Sequence, residues 1–556
     1  MTLGGEALAR MLDGYGVSHI FHVPAVLRRT MVELERQTDI KRVRPHSEKS
    51  AAYMADGYAR ASGRPGVCMA QVIGALNLAA GLRDAHLAHS PVIAFTGGRD
   101  PSTKFRKVYQ EVDDVPAFEP VTKMNVTVDD AERIPDMVRQ AFRVATTGSP
   151  GPVHLQFRGN EGQVDLGEIT ADEHVEVQYS SVPPYRPLPA DHSGMQAAVD
   201  LLSAAERPVI VAGGGVRASG AGKALVALAE ALQIPVATSL NGKDSMPSDH
   251  PLSVGVVGTY SRASANRTVS AADLVCFIGS ETGGMTTHFW QVPEFGRRTI
   301  QIDIDPEAIG RNYTPEVGIQ GDALSVLDAM RSLIDTPASP TTWSEGAAKA
   351  VRDWHGDHVA ELTSDQVPIR PERLCAELTA NAPDDAIIVV DTGHAGMWMG
   401  GMYDVRAEQS YLRSAGHLGW AFPAALGAKC GAPERPVLCF TGDSGFWYHL
   451  SEIETAVRWD IPAVILVNNN SGGNQSKRGF DRAYGGEQTE QGAKELWHFT
   501  DVNFAAIAEQ MGALGIRVER PGDLAGAIER GLASGRPTII DVVTDIDALA
   551  PLAVTS

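Results

Sequence analysis

The sequence predicts an α/β protein of three doubly wound domains with mostly parallel sheets. Short apolar segments alternate with segments of helical spacing over most of the 556 residues, and this alternation favours parallel sheets covered by helices on both faces. Two loose passages that contain proline interrupt it, at 180–192 and 335–347. At ~150 residues per domain, the length agrees with three or four domains.

Each domain has its own strand candidates. In the first, 1–165, the segments HIFHV, PGVCMAQV and PVIAFTG alternate with helical segments such as SAAYMADGYARA. The central domain, 193–337, contains RPVIVAGGG, IPVATSL, ADLVCFIGS and RTIQIDIDP, and the last domain, 366–556, contains AIIVVDTG, PVLCFTGDSG, PAVILVNNN and PTIIDVV. The triple glycine of the central domain is an incomplete G-x-G-x-x-G motif, which a tight turn after a strand also explains.

Charge and cysteine content exclude several classes of protein. The formal net charge of −20 argues against a nucleic-acid or anionic-membrane surface and favours a soluble protein. The five widely spaced cysteines, without a C-x-x-C, indicate neither a disulfide framework nor a zinc site and fit a reducing cytoplasm. No apolar run approaches the ~20 residues that cross a bilayer, and the N-terminus lacks the pattern of an export signal.

Asp443 and Asn470 come just after two apolar runs of the last domain, VLCFTG and PAVILVN. The two residues are 470 − 443 = 27 positions apart, and a segment of helical spacing lies between the runs. Because the carboxyl ends of both strands of a β-α-β unit lie at one edge of the sheet, we expect these side chains to be neighbours, within roughly 5 to 10 Å.

This edge of the sheet suits a magnesium diphosphate. Asp443, Asn470 and a carbonyl from the following turn, that of Gly472, are three hard oxygen ligands of the kind Mg²⁺ takes, with phosphate and water completing the shell. Gly442 and Gly445 permit a close backbone approach, and the next helix directs free N–H groups at the same place. The alternative is that Asp443 caps a helix and the Asn run forms a turn.

The same stretch resembles the fingerprint of thiamine diphosphate enzymes, a Gly-Asp pair followed after a helix by Asn-Asn. The pairs here are Gly442-Asp443 and Asn469-Asn470, with Ser444 where many members have Gly or Ala. The resemblance is to the group of acetolactate synthase, pyruvate oxidase, benzaldehyde lyase and 2-hydroxyacyl-CoA lyase. It implies thiamine diphosphate and Mg²⁺ as cofactors, with the first domain binding the pyrimidine ring and the last the diphosphate.

A thiamine diphosphate enzyme needs a carboxylate that exchanges a proton with N1′ of the pyrimidine ring. Glu48 follows the strand candidate IKRVRP and opens a helix, where a glutamate can also serve only to stabilise the helix dipole. The sequence ADGYARASG downstream resembles the one that follows the activating glutamate in this family. The resemblance therefore implies that Glu48 is the activator.

Further segments resemble the cofactor-binding loops of the family. The segment 414–429 resembles the one that bends the cofactor, which implies Leu418 as the wedge between its rings and Gly416 as the carbonyl that accepts the 4′-amino group. The segment 391–398 resembles the loop over the diphosphate. Gln110 falls where the family places a glutamine that faces the reaction centre from a partner subunit, although a surface amide is the alternative. The resemblance thus implies a homo-oligomer, a dimer or a tetramer, with active sites between subunits.

Near the reacting centre the sequence departs from acetolactate synthases. The turn 71–74 reads QVIG in place of their Ser-Gly-Pro-Gly, and 279–290 lacks the arginines that they carry near the flavin, which argues against FAD. His394 and His417 lie on segments that line the cofactor, and an imidazole near neutrality suits proton transfer, with packing or cofactor contact as the alternative. The polar stretch 474–497 suits a mobile cover over an anionic substrate, or a solvated loop.

These features predict an enzyme that forms or breaks a carbon–carbon bond next to a carbonyl and acts on a 2-oxo acid, in the manner of acetolactate synthase. The alternative is a lyase for 2-hydroxyacyl thioesters or 2-hydroxy ketones, similar to 2-hydroxyacyl-CoA lyase and benzaldehyde lyase. The ADP part of coenzyme A would then occupy the central domain near IDIDPEAIG. A non-catalytic homologue is disfavoured because Glu48, Asp443 and Asn470 are all present.

Overall fold

The computed structural model describes residues 2–186, 191–486 and 488–551. Three six-stranded sheets lie within them, and every strand pair in these sheets is parallel, which confirms the predicted fold class. Helices cover both faces of such sheets, so the inner strands read as nearly continuous apolar runs. Among the described residues, no helix combines the length and the apolar composition needed to cross a bilayer.

The first sheet has the strand order β3-β2-β4-β5-β7-β6. A short antiparallel pair, β1 with β8, extends this domain to Ile169, past the predicted end at residue 165. Its elements are β1 Thr2–Leu3, α1 Gly4–Gly14, β2 His19–His22, α2 Arg28–Gln37, β3 Lys41–Val43, α3 Glu48–Ser62, β4 Gly66–Ala70, α4 Ala75–Leu87, β5 Val92–Gly97, β6 Met124–Val128, α5 Ile134–Thr146, β7 Val153–Phe157 and β8 Glu168–Ile169.

The central sheet has the order β11-β10-β9-β12-β13-β14. All four predicted strands are present, and the two that the sequence did not reveal, β11 and β14, are the edge strands. The elements are α6 His192–Ala204, β9 Pro208–Ala212, α7 Gly214–Ala218, α8 Gly222–Leu232, β10 Val236–Thr238, β11 Ser253–Val256, α9 Ala263–Ala271, β12 Leu274–Ile278, β13 Arg298–Asp303, β14 Val317–Gln320 and α10 Ala323–Ser332.

The predicted linkers differ in structure. The first, 180–192, lies partly outside the described residues. The second, 335–347, is irregular only in its first part, because α11 begins at Thr342 and runs to Leu362, and the Thr341 hydroxyl caps it by accepting the N–H of Ser344. The loose passage predicted there is therefore wrong from Thr342 onward, since a local cap and a long helical run outweigh its polar composition.

The last sheet has the order β16-β15-β17-β18-β20-β19, again with the unpredicted strands β16 and β19 at its edges. Its elements are α12 Pro371–Asn381, β15 Ile387–Val390, α13 His394–Met402, β16 Ser410–Arg413, α14 Ala421–Gly431, β17 Val437–Gly442, α15 Asp443–Trp447, α16 Glu452–Arg458, β18 Val464–Asn469, α17 Asn474–Ala483, α18 Glu490–Leu496, α19 Phe504–Gln510, β19 Leu514–Val518, α20 Leu524–Ala533 and β20 Thr538–Val543.

The first and last domains share one apolar core, built around α3 and α14. Glycines let the two helices approach until their backbones touch. A Cβ on Gly57 would lie 2.0 Å from the carbonyl oxygen of Ala424, and one on Gly427 would lie 1.9 Å from that of Met54. The segment after Glu48 is therefore fixed against the segment after Leu418 of the same chain.

Gly57→Ala is expected to destabilise the protein by ~1–3 kcal/mol or more, because the added methyl group has no room between two backbones. Gly526→Ala in α20 is the matched control, since no atom lies within 4 Å of its added Cβ. That control is expected to stabilise by ~0.4–1 kcal/mol through the unfolded state. Differential scanning calorimetry of both variants checks this, and equal melting temperatures would contradict the close packing.

Candidate active site

A cavity of about 930 Å³ is lined by all three domains, and the first domain contributes Arg60, 87–91 and 148–150 to it. One wall consists of the loops after β15, β17 and β18, in agreement with the rule that ligands of parallel α/β sheets bind beyond the carboxyl ends of the strands. The other wall carries the glycine-rich loop 213–215 and part of 279–286. Ligand cavities commonly enclose ~300–1,000 Å³, so this one can hold a coenzyme together with a substrate.

Asp443 and Asn470 meet in this cavity, as their spacing predicts. β17 and β18 are neighbouring parallel strands in which Gly442 is paired with Asn468. The Asp443 carboxylate is 2% exposed and accepts the N–H groups of Ser444 at 2.7 Å and Gly472 at 2.9 Å. Burial raises the pKa of Asp443 to about 7, so a charged carboxylate at this position calls for a bound cation.

The asparagine run divides between two faces of the sheet. Asn468 and Asn470 line the cavity. Asn469 points away and donates to the Asp541 carboxylate at 2.8 Å and the Val502 carbonyl at 3.0 Å. The sequence analysis missed Asn468, although the alternation of side chains along a strand is the signal that could have found it.

Six polar atoms in this wall have no hydrogen-bond partner among the described residues. They are the Ser444 hydroxyl, the side-chain oxygens of Asn468, Asn470 and Asn474, and both ring nitrogens of His394. All belong to residues that line the cavity. A buried polar group without a partner costs ~1–3 kcal/mol, so the cluster is built for a polar ligand. With the Asp443 carboxylate among them, these groups fit a diphosphate and a hard cation.

Gly416 and Leu418 also line the cavity. Gly416 has φ +144°, and no atom lies within 4 Å of where its Cβ would stand, so the backbone here is open to a ligand. Gly419 follows with φ +86°, and its N–H donates to both carboxylate oxygens of Asp391 at 3.1 and 3.2 Å. Leu418 is thus held at the cavity wall.

Glu48 and Gln110 do not line this cavity. Glu48 is the first residue of α3, its Oε2 accepts a hydrogen bond from Asn77 at 3.2 Å, and its Oε1 lies 2.5 Å from where a Cβ on Gly74 would stand. Gln110 accepts a hydrogen bond from Gln71 at 3.3 Å. One chain therefore does not bring these two residues into the cavity that holds Asp443.

The two predicted histidines have different surroundings. His394 begins α13 at the cavity wall, where burial lowers its pKa to about 4. His417 pairs through Nδ1 with the Tyr53 hydroxyl of α3, and burial lowers its pKa too. Burial disfavours the charged form of both rings, which favours hydrogen bonding over the near-neutral titration that the sequence suggested. His417 joins the last domain to the first.

Three family models match the chain in succession. The thiamine pyrophosphate enzyme N-terminal TPP binding domain matches 2–117, the central domain matches 195–330, and the C-terminal TPP binding domain matches 391–542. The chain belongs to the thiamine pyrophosphate enzyme family. It is a thiamine diphosphate-dependent enzyme of the acetolactate-synthase-like kind, as the fingerprint at 442–443 and 469–470 predicted.

Several curated relatives of this thiamine pyrophosphate enzyme match over nearly the whole chain. It is 34% identical over 561 residues to a probable acetolactate synthase large subunit of Methanocaldococcus jannaschii, with 99% of this chain and 93% of the relative covered. It is 30% identical over 562 residues to a glyoxylate carboligase of Escherichia coli, with 97% and 92% covered. A probable 2-ketoarginine decarboxylase of Pseudomonas aeruginosa is 32% identical over 482 residues, with 84% and 82% covered.

Asp391 connects three segments that line the cavity of the enzyme, and no role for this residue was predicted from the sequence. Besides Gly419, its carboxylate accepts hydrogen bonds from the N–H of Thr392 at 2.8 Å and the hydroxyl of Thr441 at 3.1 Å. A Cβ on Gly445 would lie 2.5 Å from it. The segments after β15, after β16 and after β17 therefore meet at one buried carboxylate, and no sequence pattern marks such a meeting point.

The predicted cover, 474–497, consists mainly of α17 and α18. Gln475 and Ser476 line the cavity. Lys477 pairs with Asp481 at 3.2 Å and Asp547 at 3.1 Å. Arg478 donates to a carbonyl at 2.8 Å, so neither Lys477 nor Arg478 is directed at the cavity in this structure.

Proposed function

We propose that this enzyme uses thiamine diphosphate and Mg²⁺ to form or break a carbon–carbon bond next to the carbonyl of a 2-oxo acid. The observation that carries the proposal is the cluster of six unpartnered polar atoms beside the buried Asp443 carboxylate. The names of two relatives, glyoxylate carboligase and 2-ketoarginine decarboxylase, contain a 2-oxo acid, which supports the substrate class.

Each cavity residue has a role in this proposal. Asp443, Asn470 and the carbonyl of Gly472 hold the metal ion, with the diphosphate completing its shell. The residues that face the diphosphate are His394, Gly442, Ser444, Gly445 and Asn468. The carbonyl of Gly416 accepts a hydrogen bond from the 4′-amino group of the cofactor, and Leu418 supports the bent conformation of the cofactor. Bound thiamine diphosphate supplies a thiazolium ring that accepts the electron pair of the bond being broken.

Glu48 and Gln110 serve the cavity of a second copy of the chain in this proposal. Exposed apolar side chains surround both, with Ile73 53% and Leu76 51% exposed beside Gly74 and Asn77, and Tyr109 79% exposed beside Gln110. Clusters of this kind mark interaction surfaces. We therefore propose a homo-oligomer, a dimer or a tetramer, in which Glu48 moves the proton at N1′ of the partner's pyrimidine ring.

A lyase for 2-hydroxyacyl thioesters or 2-hydroxy ketones is the second candidate, because the cavity continues along the central domain. Its wall there includes Gly213–Gly215 and Asp303, at the carboxyl ends of β9 and β13. Phosphates and ribose hydroxyls bind at such strand ends, so the ADP part of coenzyme A has a place there. The five free cysteines support our placement of the enzyme in the cytoplasm.

Incubation of the purified enzyme with pyruvate, with benzoin and with a 2-hydroxyacyl-CoA, each with thiamine diphosphate and Mg²⁺, tests the two candidates. We expect CO₂ release from pyruvate and no reaction of the other two compounds. Aldehyde from benzoin, or formyl-CoA from the thioester, with no CO₂ from pyruvate would replace the 2-oxo acid proposal with the lyase. Omission of the enzyme controls for spontaneous decarboxylation.

A further inference from the structure

We propose that Asp84, in α4 of the first domain, is a positioning residue that holds the bending loop, 414–419, of its own chain. This inference rests on the proposed function, in which the bending loop carries Gly416 and Leu418. Asp84 belongs to no motif of the sequence analysis and does not line the cavity. It acts through the loop rather than on the cofactor.

The contacts of Asp84 with the bending loop are numerous and direct. The carboxylate is 1% exposed. Its Oδ1 accepts the N–H of Ala415 at 2.9 Å, and its Oδ2 accepts the Ser414 hydroxyl at 3.0 Å and the N–H of His417 at 3.2 Å. The N–H of Gly416 donates to the Ser414 hydroxyl oxygen at 3.1 Å. One carboxylate therefore sets the positions of Gly416 and of the residues on both sides of it.

Arg60 pairs with this carboxylate, which stays buried. The guanidinium donates to Asp84 at 3.1 Å and to both oxygens of Asp56 at 2.6 and 2.7 Å. It also donates to the carbonyl of Arg413, directly before the bending loop, at 2.7 Å. Removing one member of a buried charged network leaves the others uncompensated, so this arrangement tolerates little displacement.

Two carboxylates from different domains thus fix the two ends of the bending loop. Asp84 holds 414–417 from the first domain, and Asp391 holds Gly419 from the last. Leu418 lies between them. The same helix α4 also carries Asn77, which holds Glu48, seven residues before Asp84 and so about 10 Å along the helix axis. One helix, α4, therefore sets the positions of both Glu48 and the bending loop.

Asp84→Asn tests the inference, because the amide keeps the size of the carboxylate but cannot accept from three donors as a charge does. We expect the dissociation constant of thiamine diphosphate with Mg²⁺ to change less than ~3-fold, since Asp443 and its neighbours are untouched. We expect kcat to fall at least ~10-fold at unchanged KM, and the near-ultraviolet circular dichroism of the bound cofactor to change, because the ring geometry is displaced.

Asp165→Asn is the matched control, because Asp165 is another carboxylate of the first domain that is 1% exposed, and it accepts the N–H and the hydroxyl of Thr30 at 3.0 Å rather than groups of the bending loop. At a temperature where both variants are folded, the control should keep wild-type kcat and dichroism. If Asp84→Asn matches Asp165→Asn in both readouts, Asp84 is merely structural and the inference fails. If the wild-type enzyme binds no thiamine diphosphate, the proposed function fails instead.

Ser414→Ala decides the question if Asp84→Asn does not fold. The alanine removes one hydrogen bond to Asp84 and the acceptor for the N–H of Gly416, and it leaves the buried charges in place. We expect the same dichroism change with a smaller loss of kcat, ~3-fold, and a destabilisation of ~1–3 kcal/mol that leaves the variant folded. An unchanged spectrum and kcat would overturn the inference.

Discussion

Glu48→Gln is expected to abolish turnover while leaving thiamine diphosphate bound. In the proposed function Glu48 moves a proton at N1′ of the pyrimidine ring, and an amide of the same size cannot. Loss of a general acid–base group costs ~10²–10⁴-fold in rate, so kcat should fall by that factor. The dissociation constant should change little, because in the proposed function the last domain holds the diphosphate and the metal ion. Steady-state kinetics and titration with cofactor measure the two quantities.

Glu35→Gln is the control for this variant, because Glu35 lies in the same domain and makes an ion pair with Arg42 on the surface. It should keep wild-type turnover. If Glu48→Gln keeps the wild-type kcat, Glu48 does not activate the cofactor and the role proposed for it is wrong. The family membership would still stand. Loss of both binding and turnover would instead give Glu48 a role in holding the cofactor.

Asp443→Asn is expected to prevent binding of the cofactor, with at least a ~100-fold rise in its dissociation constant. Asp443 is the one carboxylate among the proposed metal ligands, and a neutral amide there weakens the hold on the ion that neutralises the diphosphate. In the absence of cofactor the variant should melt at or above the wild-type temperature, since the amide removes a carboxylate that burial disfavours. Isothermal titration and calorimetry measure both.

Asp460→Asn provides the comparison, because Asp460 is an exposed residue of the same domain, in the turn before β18. It should bind the cofactor as the wild type does. Removal of divalent cations with a chelator should release the cofactor from the wild type, and Mg²⁺ should restore it. Cofactor binding by Asp443→Asn with wild-type affinity would exclude Asp443 as the metal ligand.

Mixing the two inactive variants tests whether the site lies between subunits. A dimer of one Glu48→Gln chain with one Asp443→Asn chain has one site that keeps both Glu48 and Asp443, provided that the two residues come from different chains. Random association of equal amounts should restore roughly a quarter of wild-type activity. Sites formed within one chain would give no recovery, because no chain in the mixture carries both residues.

In the central and last sheets the inner strands could be predicted from the sequence and the edge strands could not; in the first sheet the candidate IKRVRP is the edge strand β3, and the inner strand β7 was not predicted. β9, β12, β17 and β18 are buried on both faces and read as continuous apolar runs. β14 has one buried residue in four, and β19 has two in five. An edge strand has a neighbour on one side only, so less of its length is apolar and the pattern weakens.

The sequence also predicted that Asp443 and Asn470 are neighbours, because two parallel strands joined by one helix have both carboxyl ends at the same edge of the sheet. Glu48 was found only through the family resemblance, since a glutamate in a first helical turn has many uses. Asn468 was missed because adjacent asparagines look alike until strand alternation assigns each one to a face.

The sequence by itself determined the three parallel sheets and the meeting of Asp443 and Asn470, because these depend on periodicity and on residues close along the chain, and it indicated the cofactor class through its resemblance to thiamine diphosphate enzymes. Only the tertiary structure decided that Glu48 lies outside the cavity of its own chain and that Asp84 and Asp391 hold the bending loop. Asp84 and Ala415 are far apart in the chain and meet only when α3 and α14 pack. Contacts of that kind depend on how whole domains fit together, and no local pattern encodes them.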